Sequence, residues 1–258
     1  MDIDVGGVRT YYTTVGTGDP VVLIHGGATT GDSWAAQTSA LAERYQVIIP
    51  DRRGHGRTSD VEGPATMDGY AEDMVAFLEA LGVGSAYVIG WSDGGKVAVR
   101  MALRRPELVR KLVMIGTELT RAGGTPANEL LMTTAGGLDQ LATMARPDYE
   151  RLSPDGPEHF DVVFAKWAQM WNSIPDIEPG ELKHLPMPVL LMQGDDDCVR
   201  IEHNAAVARA IPDAQLAVIP GASHAVPIER PGVVNSLLLD FLGDTPTPKY
   251  MPLGDLGD

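Results

Sequence analysis

The sequence predicts an α/β fold in which a mostly parallel sheet carries helices on both faces. Short apolar runs alternate along the chain with segments whose apolar side chains recur at helical spacing. Each run is nearly continuous in apolar residues, as in Val21-Val22-Leu23-Ile24, which is typical of strands buried on both faces. One run leads into a glycine-bracketed serine, Ser92, immediately before a helical segment. A sheet of this kind collects its functional groups at the ends of its strands.

The elements follow from these patterns in chain order. Tyr70, Met74 and Phe77 share one helical face, and Gly82 follows where that helix should end. Pro106 closes the helix that begins after the serine turn. The predicted strands are 8–15, 20–25, 47–50, 87–89, 112–116, 188–194 and 215–219, and the predicted helices are 33–44, 70–81, 96–105, 202–211 and 230–242.

The alternation is interrupted between about residues 117 and 184, where no strand is convincing. Helical patches there include an aromatic stripe. Its members are Phe160, Phe164, Trp167 and Trp171. The stripe either packs a helical insert onto the main domain or roofs an active site, and both can hold for different members.

Composition limits the classes of function. The chain has 258 residues, which one α/β domain can fill, and 44% of them are hydrophobic. A net charge of −15 argues against nucleic acid or an anionic membrane as a partner. No apolar run is long enough to span a membrane, and the acidic N-terminal residues do not form a secretory segment. The single cysteine, Cys198, cannot form an internal disulfide, so we expect a cytoplasmic location.

The stretch Gly90-Trp91-Ser92-Asp93-Gly94 predicts a nucleophilic serine. A sharp strand-to-helix turn gives the serine strained backbone angles, and residues on either side must lack bulk where strand and helix nearly touch. The turn presents the Ser92 hydroxyl at a helix N-terminus, where free N–H groups favour developing negative charge. The alternative is a tight turn without chemistry, so the interpretation depends on finding partners for the serine.

A serine hydroxyl needs a base, and the base needs a carboxylate to fix its tautomer. His224 follows a predicted strand, and Asp197 follows the strand before it. The chain order nucleophile, acid, base then gives a catalytic set of Ser92, Asp197 and His224. Asp197 is preferred because the Gly-x-x-Asp spacing carries its carboxylate past the strand end. The other candidates for the acid are Asp195, Asp196 and, more distantly, Glu118.

The oxyanion of an acyl-transfer intermediate needs two fixed N–H donors. One is expected from Asp93, directly after the nucleophile, and the other from Gly27, with Ala28 as the near alternative. His25 is interpreted as structural and Cys198 as a packing residue. No histidine–carboxylate spacing suggests a metal site.

Four motifs, in this order, resemble the α/β-hydrolase superfamily. They are His25-Gly26-Gly27, Asp51-Arg52-Arg53-Gly54-His55-Gly56, Gly90-Trp91-Ser92-Asp93-Gly94-Gly95 and Gly221-Ala222-Ser223-His224. The resemblance covers about residues 8 to 243 and implies an eight-stranded sheet, a small helical cap after the sixth strand and no cofactor. The implied division is a core of residues 1–117 and 185–243, a cap of residues 118–184 and a C-terminal tail of residues 244–258.

The elbow around Ser92 most resembles that of the valacyclovir hydrolase (biphenyl hydrolase-like) branch of the superfamily, in which the aspartate after the nucleophile holds the substrate's α-ammonium group. The resemblance implies that Asp93 could do the same here. The alternative is that Asp93 caps its helix or pairs with Lys96, three residues later. Trp91, Asp93, Trp167 and Trp171 are the candidate substrate contacts.

These observations predict a serine hydrolase that cleaves a small-molecule ester, lactone or related acyl bond without a metal or cofactor. Perhydrolase activity and carbon–carbon bond hydrolysis use the same three residues and stay open. A slowly turning-over receptor of the same fold is the alternative from another functional class. The substrate and the oligomeric state are not readable from the sequence.

Overall fold

The computed structural model describes residues 1–243, and it contains one sheet of eight strands in the order β1-β2-β4-β3-β5-β6-β7-β8. The first two pairings, β1 with β2 and β2 with β4, are antiparallel, and all the others are parallel. The strands are β1 (Asp2–Val5), β2 (Val8–Val15), β3 (Pro20–Ile24), β4 (Gln46–Pro50), β5 (Ala86–Trp91), β6 (Val109–Ile115), β7 (Val189–Asp196) and β8 (Ala214–Ser223).

Helices cover both faces of this sheet, as predicted. They are α1 (Ala35–Leu41), α2 (Met67–Ala80), α3 (Asp93–Arg104), α4 (Pro126–Thr133), α5 (Ala135–Leu152), α6 (Phe160–Ser173), α7 (Pro179–Leu182), α8 (Ile201–Ala210), α9 (Val226–Glu229) and α10 (Pro231–Leu242). The predicted α/β-hydrolase fold, with a mostly parallel eight-stranded sheet, is confirmed.

Alternate strand residues supply two separate hydrophobic cores. Val22 and Ile24 of β3 pack with helices α2, α3 and α8, whereas Val21 and Leu23 pack with α1 and α10 on the opposite face. All four side chains are almost completely buried. Successive strand side chains point to opposite faces, so a strand with helices on both sides must be apolar throughout. This is the physical origin of the continuous apolar runs in the sequence.

The two ends of the sheet differ from the sequence expectation. β1 was not predicted, and β8 continues to Ser223 instead of ending at residue 219. Pro220 lies within β8, and a proline is tolerated there because β8 is an edge strand. The longer strand carries the chain to the residue directly before His224.

Four helices, α4 to α7, lie between β6 and β7. α5 and α6 form a third hydrophobic cluster, whose buried members are Ala145, Tyr149, Phe160, Val163 and Trp167. The division into a core and a cap at residues 117/118 and 184/185 stays a prediction. The predicted tail, residues 244–258, lies outside the described residues.

None of the helices within residues 1–243 has the combined length and hydropathy that a membrane crossing requires.

Candidate active site

Ser92 lies between the last residue of β5 and the first residue of α3, with φ 56° and ψ −120°. This is a strained conformation for a residue with a side chain. The neighbouring glycines are required by contact. A Cβ atom on Gly90 would collide with the Gly94 backbone, and one on Gly94 would collide with the Ile24 carbonyl. The backbone N–H of Ser92 donates to the Ile115 carbonyl at 2.8 Å, which fixes the turn to β6.

The end of β7 and the end of β8 bring Asp197 and His224 together. Asp196 and Ser223 are register partners in this parallel pair, so the residue that follows each of them leaves the sheet at the same edge. His224 Nδ1 and Asp197 Oδ1 are 2.7 Å apart. The Asp197 side chain is fully buried and also accepts the Val199 N–H, whereas the imidazole is 33% exposed. This is the geometry of an imidazole that is oriented by a carboxylate.

The other acid candidates are occupied elsewhere. Asp195 is exposed and accepts the Ala222 N–H at 3.2 Å, and Asp196 is exposed at the end of β7. Glu118 accepts from the Lys96 ammonium at 2.6 Å. Of the four carboxylates weighed from the sequence, Asp197 is therefore the one whose contact with His224 is seen.

Burial and the neighbouring side chains have opposite effects on the pKa of His224. Burial is the largest single influence and favours the neutral imidazole, but the contacts with Asp197 and Cys198 together outweigh it, so the pKa of His224 lies above its usual value. Burial raises the pKa of the Cys198 thiol, whose sulfur lies 3.3 Å from His224 Nδ1. The thiol is therefore neutral near pH 7, and the Asp197 carboxylate is the anion that faces the imidazole.

Side-chain contacts hold the histidine loop on both sides of His224. The Trp91 indole N–H donates to the His224 carbonyl at 2.9 Å, and the Trp91 ring packs edge-on against Trp34. Glu229 accepts from both the backbone N–H and the hydroxyl of Ser223. The contact made by Trp91 joins the nucleophile strand directly to the segment that bears the imidazole. The polar group of Trp91 is committed to this loop, and the expectation that Trp91 contacts substrate stays a prediction.

The loop after β3 lies beside Ser92. A Cβ atom on Gly26 would lie 3.5 Å from the Ser92 Cβ, and one on Gly27 would collide with the Asp93 carboxylate. Ala28 has φ 55°, in the left-handed region. His25 is completely buried; its Nε2 accepts the Arg52 N–H at 3.0 Å, and the Arg52 guanidinium donates to the Gly26 carbonyl at 2.8 Å. These contacts hold the loop from behind, and burial lowers the pKa of His25, so its ring is neutral.

The Asp93 carboxylate is buried and fully engaged. Its Oδ2 accepts the Trp171 indole N–H at 2.7 Å, and its Oδ1 lies 3.7 Å from the Lys96 ammonium. Burial alone would lower the pKa of Lys96, but the neighbouring Glu118 and Asp93 raise it, so the ammonium stays charged between two carboxylates. Trp171 thus connects α6 to the residue after Ser92.

Comparison with known proteins agrees with this geometry. A family model described as "Alpha/beta hydrolase family" matches residues 21–237. The chain belongs to the α/β-hydrolase family.

This α/β-hydrolase is similar over nearly its whole length to proteins of several activities. It is 31% identical to a non-heme haloperoxidase of Rhodococcus erythropolis, covering 92% of this chain and 96% of that protein. The meta-cleavage product hydrolase from Pseudomonas fluorescens superposes with a TM-score of 0.78 at 27% identity, covering 93% and 96% of the two chains. An N-acyl homoserine lactone degrading enzyme superposes with a TM-score of 0.75 at 28% identity, covering 94% and 100%. The chain is therefore an enzyme of the hydrolase type.

Two members of the aromatic stripe of this α/β-hydrolase differ in what they contact. Trp167 is 2% exposed and stacks on the neutral ring of His55 with ring centroids 4.3 Å apart. It has almost no surface to offer a substrate, so we assign Trp167 to packing between cap and core, which corrects the expectation that it contacts substrate. Trp171 is partly exposed and lies against both Gly27 and Asp93. It keeps its place as a candidate substrate contact.

Two cavities flank the elbow. One, of about 380 Å³, is lined by Gly27, Ala28 and Trp91 together with apolar side chains of α5. The other, of about 360 Å³, is lined by Lys96, Glu118 and Trp171 together with residues of α4. The first is bordered by the candidate oxyanion loop and the second by the buried ion pairs.

Two features of the site were not found by sequence reasoning. Gly116 has φ 54°, and a Cβ atom there would lie 3.0 Å from His224 Nδ1 and 3.1 Å from Asp197 Oδ2. Cys198 was interpreted as a packing residue, yet its sulfur contacts the imidazole. The sequence signal for Gly116 is a glycine at the end of a buried strand. The contact of Cys198 depends on the pairing of β7 with β8, which no local pattern reveals.

Proposed function

We propose that this α/β-hydrolase cleaves a carboxylic ester, lactone or related acyl bond through an acyl-enzyme on Ser92. The observation that carries the proposal is a serine in a strained strand-to-helix turn that hydrogen bonds join to the segments around the Asp197–His224 pair. Trp91, the residue before it, bonds the His224 carbonyl. The Ser92 N–H donates to the carbonyl of Ile115. The next residue, Gly116, lies against the Asp197–His224 pair.

In the proposed reaction, His224 takes the Ser92 proton through Nε2 as the hydroxyl attacks the carbonyl carbon. Asp197 keeps the other ring proton on Nδ1 and stabilises the imidazolium that forms. The N–H groups of Gly27 and Asp93 bind the oxyanion, and His224 returns its proton to the departing group. Water then attacks the acyl-enzyme by the same route and regenerates Ser92.

The test is covalent labelling by a fluorophosphonate together with turnover of a p-nitrophenyl ester. Wild-type protein should be labelled once and should turn over many times, and Ser92→Ala should do neither. The matched control is Ser173→Ala, which removes an exposed serine from α6 and should leave both signals unchanged. Labelling that persists in Ser92→Ala would show that Ser92 is not the nucleophile. A single slow turnover in the wild type would favour the receptor alternative.

The finer proposal, that Asp93 holds a substrate ammonium, is opposed by its contacts. Both carboxylate oxygens already face a donor, Trp171 on one side and Lys96 on the other. An incoming ammonium would have to displace the indole and approach a buried cation. We therefore expect an aminoacyl ester to be hydrolysed no faster than its des-amino analogue. The ratio of their kcat/KM values measures this, and a ratio of a hundred or more in favour of the amino ester would restore Asp93 as an ammonium site.

A further inference from the structure

The loop after β7 places a thiol beside the acid–base pair, and the proposed hydrolysis does not use it. Cys198 follows Asp197 in the chain, and its Sγ lies 3.3 Å from His224 Nδ1. The sulfur therefore approaches the ring nitrogen that Asp197 also contacts, not the nitrogen that serves Ser92. Any ligand that binds this sulfur meets the imidazole on its Nδ1 side.

Three potential ligand atoms converge at this point. Asp197, Cys198 and His224 each offer one, and all lie within 4.8 Å of one another. Within residues 1–243, this is the one group of three such side chains that meets this condition. Rotations of the thiol and the carboxylate that shorten the longest separation by about 1 Å would give the spacing of ligands around a tetrahedral ion.

A separate observation points to a ligand. The Asp197 side chain is completely buried, and its Oδ2 has no hydrogen-bond partner among the described residues. Buried carboxylate oxygens are ordinarily satisfied, so an unsatisfied one is a place where a cation would be stabilised. Oδ2 and His224 Nδ1 lie 3.1 Å and 3.0 Å from the point that a Cβ atom on Gly116 would occupy, so a glycine here leaves that point free beside both atoms.

The donor set selects the type of ion. A thiolate, an imidazole nitrogen and a carboxylate oxygen are ligands of Zn²⁺ and similar ions, whereas Mg²⁺ and Ca²⁺ require a shell of oxygen atoms. We propose that Asp197, Cys198 and His224 form a binding site for a soft divalent cation such as Zn²⁺, and that the bound cation switches the hydrolase off. The second half of this proposal rests on the proposed function, and the first half does not.

The switch follows from the position of one proton. In the active form His224 carries its proton on Nδ1, so that Nε2 can accept the proton of Ser92. A cation binds to the lone pair of Nδ1, so the ring must adopt the tautomer with its proton on Nε2. Nε2 can then no longer act as a base. The Cys198 thiol releases its proton to solvent as it becomes a thiolate ligand. No oxidant or further reactant is needed, and a chelator reverses the change.

Cobalt provides a direct test that does not depend on catalysis. Co²⁺ bound to a thiolate has a charge-transfer absorption in the near ultraviolet, and Zn²⁺ added afterwards should abolish it by displacement. Wild-type protein should show this absorption at one equivalent of Co²⁺, and Cys198→Ala and Cys198→Ser should not. The matched control is His184→Ala, which removes an exposed histidine that is not one of the three proposed ligands and should retain the absorption. Absence of the absorption in the wild type, or its persistence in Cys198→Ala, overturns the site.

The inhibitory half is tested by fluorophosphonate labelling in the presence of Zn²⁺ alone. We expect Zn²⁺ to block labelling of the wild type, EDTA to restore it, and Cys198→Ala to require at least tenfold more Zn²⁺ for the same block. Equal sensitivity of the wild type and Cys198→Ala would overturn the switch. If no variant is labelled even without Zn²⁺, the proposed function fails, whereas the cobalt measurement still decides the binding site.

Discussion

At the scale of single residues, the site depends on groups that never meet the substrate carbonyl. Trp91 directs its only polar atom to the backbone of the base, 2.9 Å away, while its ring is buried against Trp34. The N–H group of the residue before Ser92 thus acts on the position of the imidazole. The N–H group of Trp91 should therefore affect kcat, whereas its buried ring should affect stability.

Trp91→Phe keeps an aromatic ring and removes the donor. The loss of one hydrogen bond of about 1 kcal/mol should lower kcat roughly fivefold to tenfold with little change in KM, because ground-state binding is untouched. The matched control is Trp34→Phe. Trp34 is equally buried, and its Nε1 has no partner among the described residues, so that change should reduce stability and leave kcat alone. Equal kcat values for the two variants would reject a positioning role for Trp91.

Gly116 offers a second test at this scale. Gly116→Ala adds a Cβ within 3.1 Å of both members of the Asp197–His224 pair, in a left-handed conformation that itself costs about 1–2 kcal/mol. We expect this strain to lower the free energy of unfolding. In addition, we expect kcat to fall more than tenfold. Gly82→Ala has the same kind of φ, +68°, with nothing within 4 Å, so it should show the strain alone. Urea unfolding and steady-state kinetics on both variants separate the two effects.

The charge of His224 makes a prediction about pH. Its pKa is raised because contacts with Asp197 and Cys198 together outweigh burial, and the proposed base works only when neutral, so activity should be lost as pH falls through the raised value. The midpoint of kcat/KM against pH should therefore lie above the ordinary imidazole value of about 6.5. Asp197→Asn should lower both the midpoint and the maximum. A wild-type midpoint at or below 6.5 would contradict the stated balance between burial and the carboxylate.

At the scale of elements, buried ion pairs and one indole join α3 to the segment after β6 and to α6. Lys96 of α3 lies 2.6 Å from Glu118, just after β6, and 3.7 Å from Asp93, which in turn holds Trp171 of α6. One ammonium thus compensates two buried carboxylates. Its removal leaves charge without a partner in the interior, which is costlier than losing the pairs as a whole.

Lys96→Met should therefore destabilise the fold by about 3–5 kcal/mol, measured by urea unfolding. Lys96→Met combined with Glu118→Gln removes one of the two stranded charges and should recover part of the loss. A double variant no more stable than Lys96→Met would show that Glu118 is not stranded by the first change.

Which elements the sequence predicted correctly depends on where they lie in the sheet. The strands β3, β4 and β7 were predicted to within two residues, because strands buried on both faces leave a continuous apolar signature. β1 and the end of β8 were missed. Both are at sheet edges, where one side is partly solvated and charged residues or proline break the pattern.

At the scale of the whole molecule, parallel topology explains why distant residues could be grouped from sequence. The strands before Ser92, Asp197 and His224 run in the same direction, so the segments that follow them emerge at one edge of the sheet. The chain order of the motifs was therefore enough to place the acid beside the base. It was not enough to show which side chains the cap helices bury, because that depends on contacts between separate elements. Trp167 is the example, since an aromatic stripe has the same sequence pattern whether it faces a cavity or a core.

The position of β8 at the edge of the sheet also has a consequence during synthesis. Ser92 directly follows a central strand, β5, whose neighbours, β3 and β6, have both been synthesised once about 115 residues are made. The imidazole directly follows β8, the last strand to be translated, and β8 pairs with β7 alone in the sheet. Under the proposed function, a nascent chain therefore carries Ser92 without the base that would activate it until His224 has been made, and reactivity towards acyl groups should begin only when β8 joins the sheet.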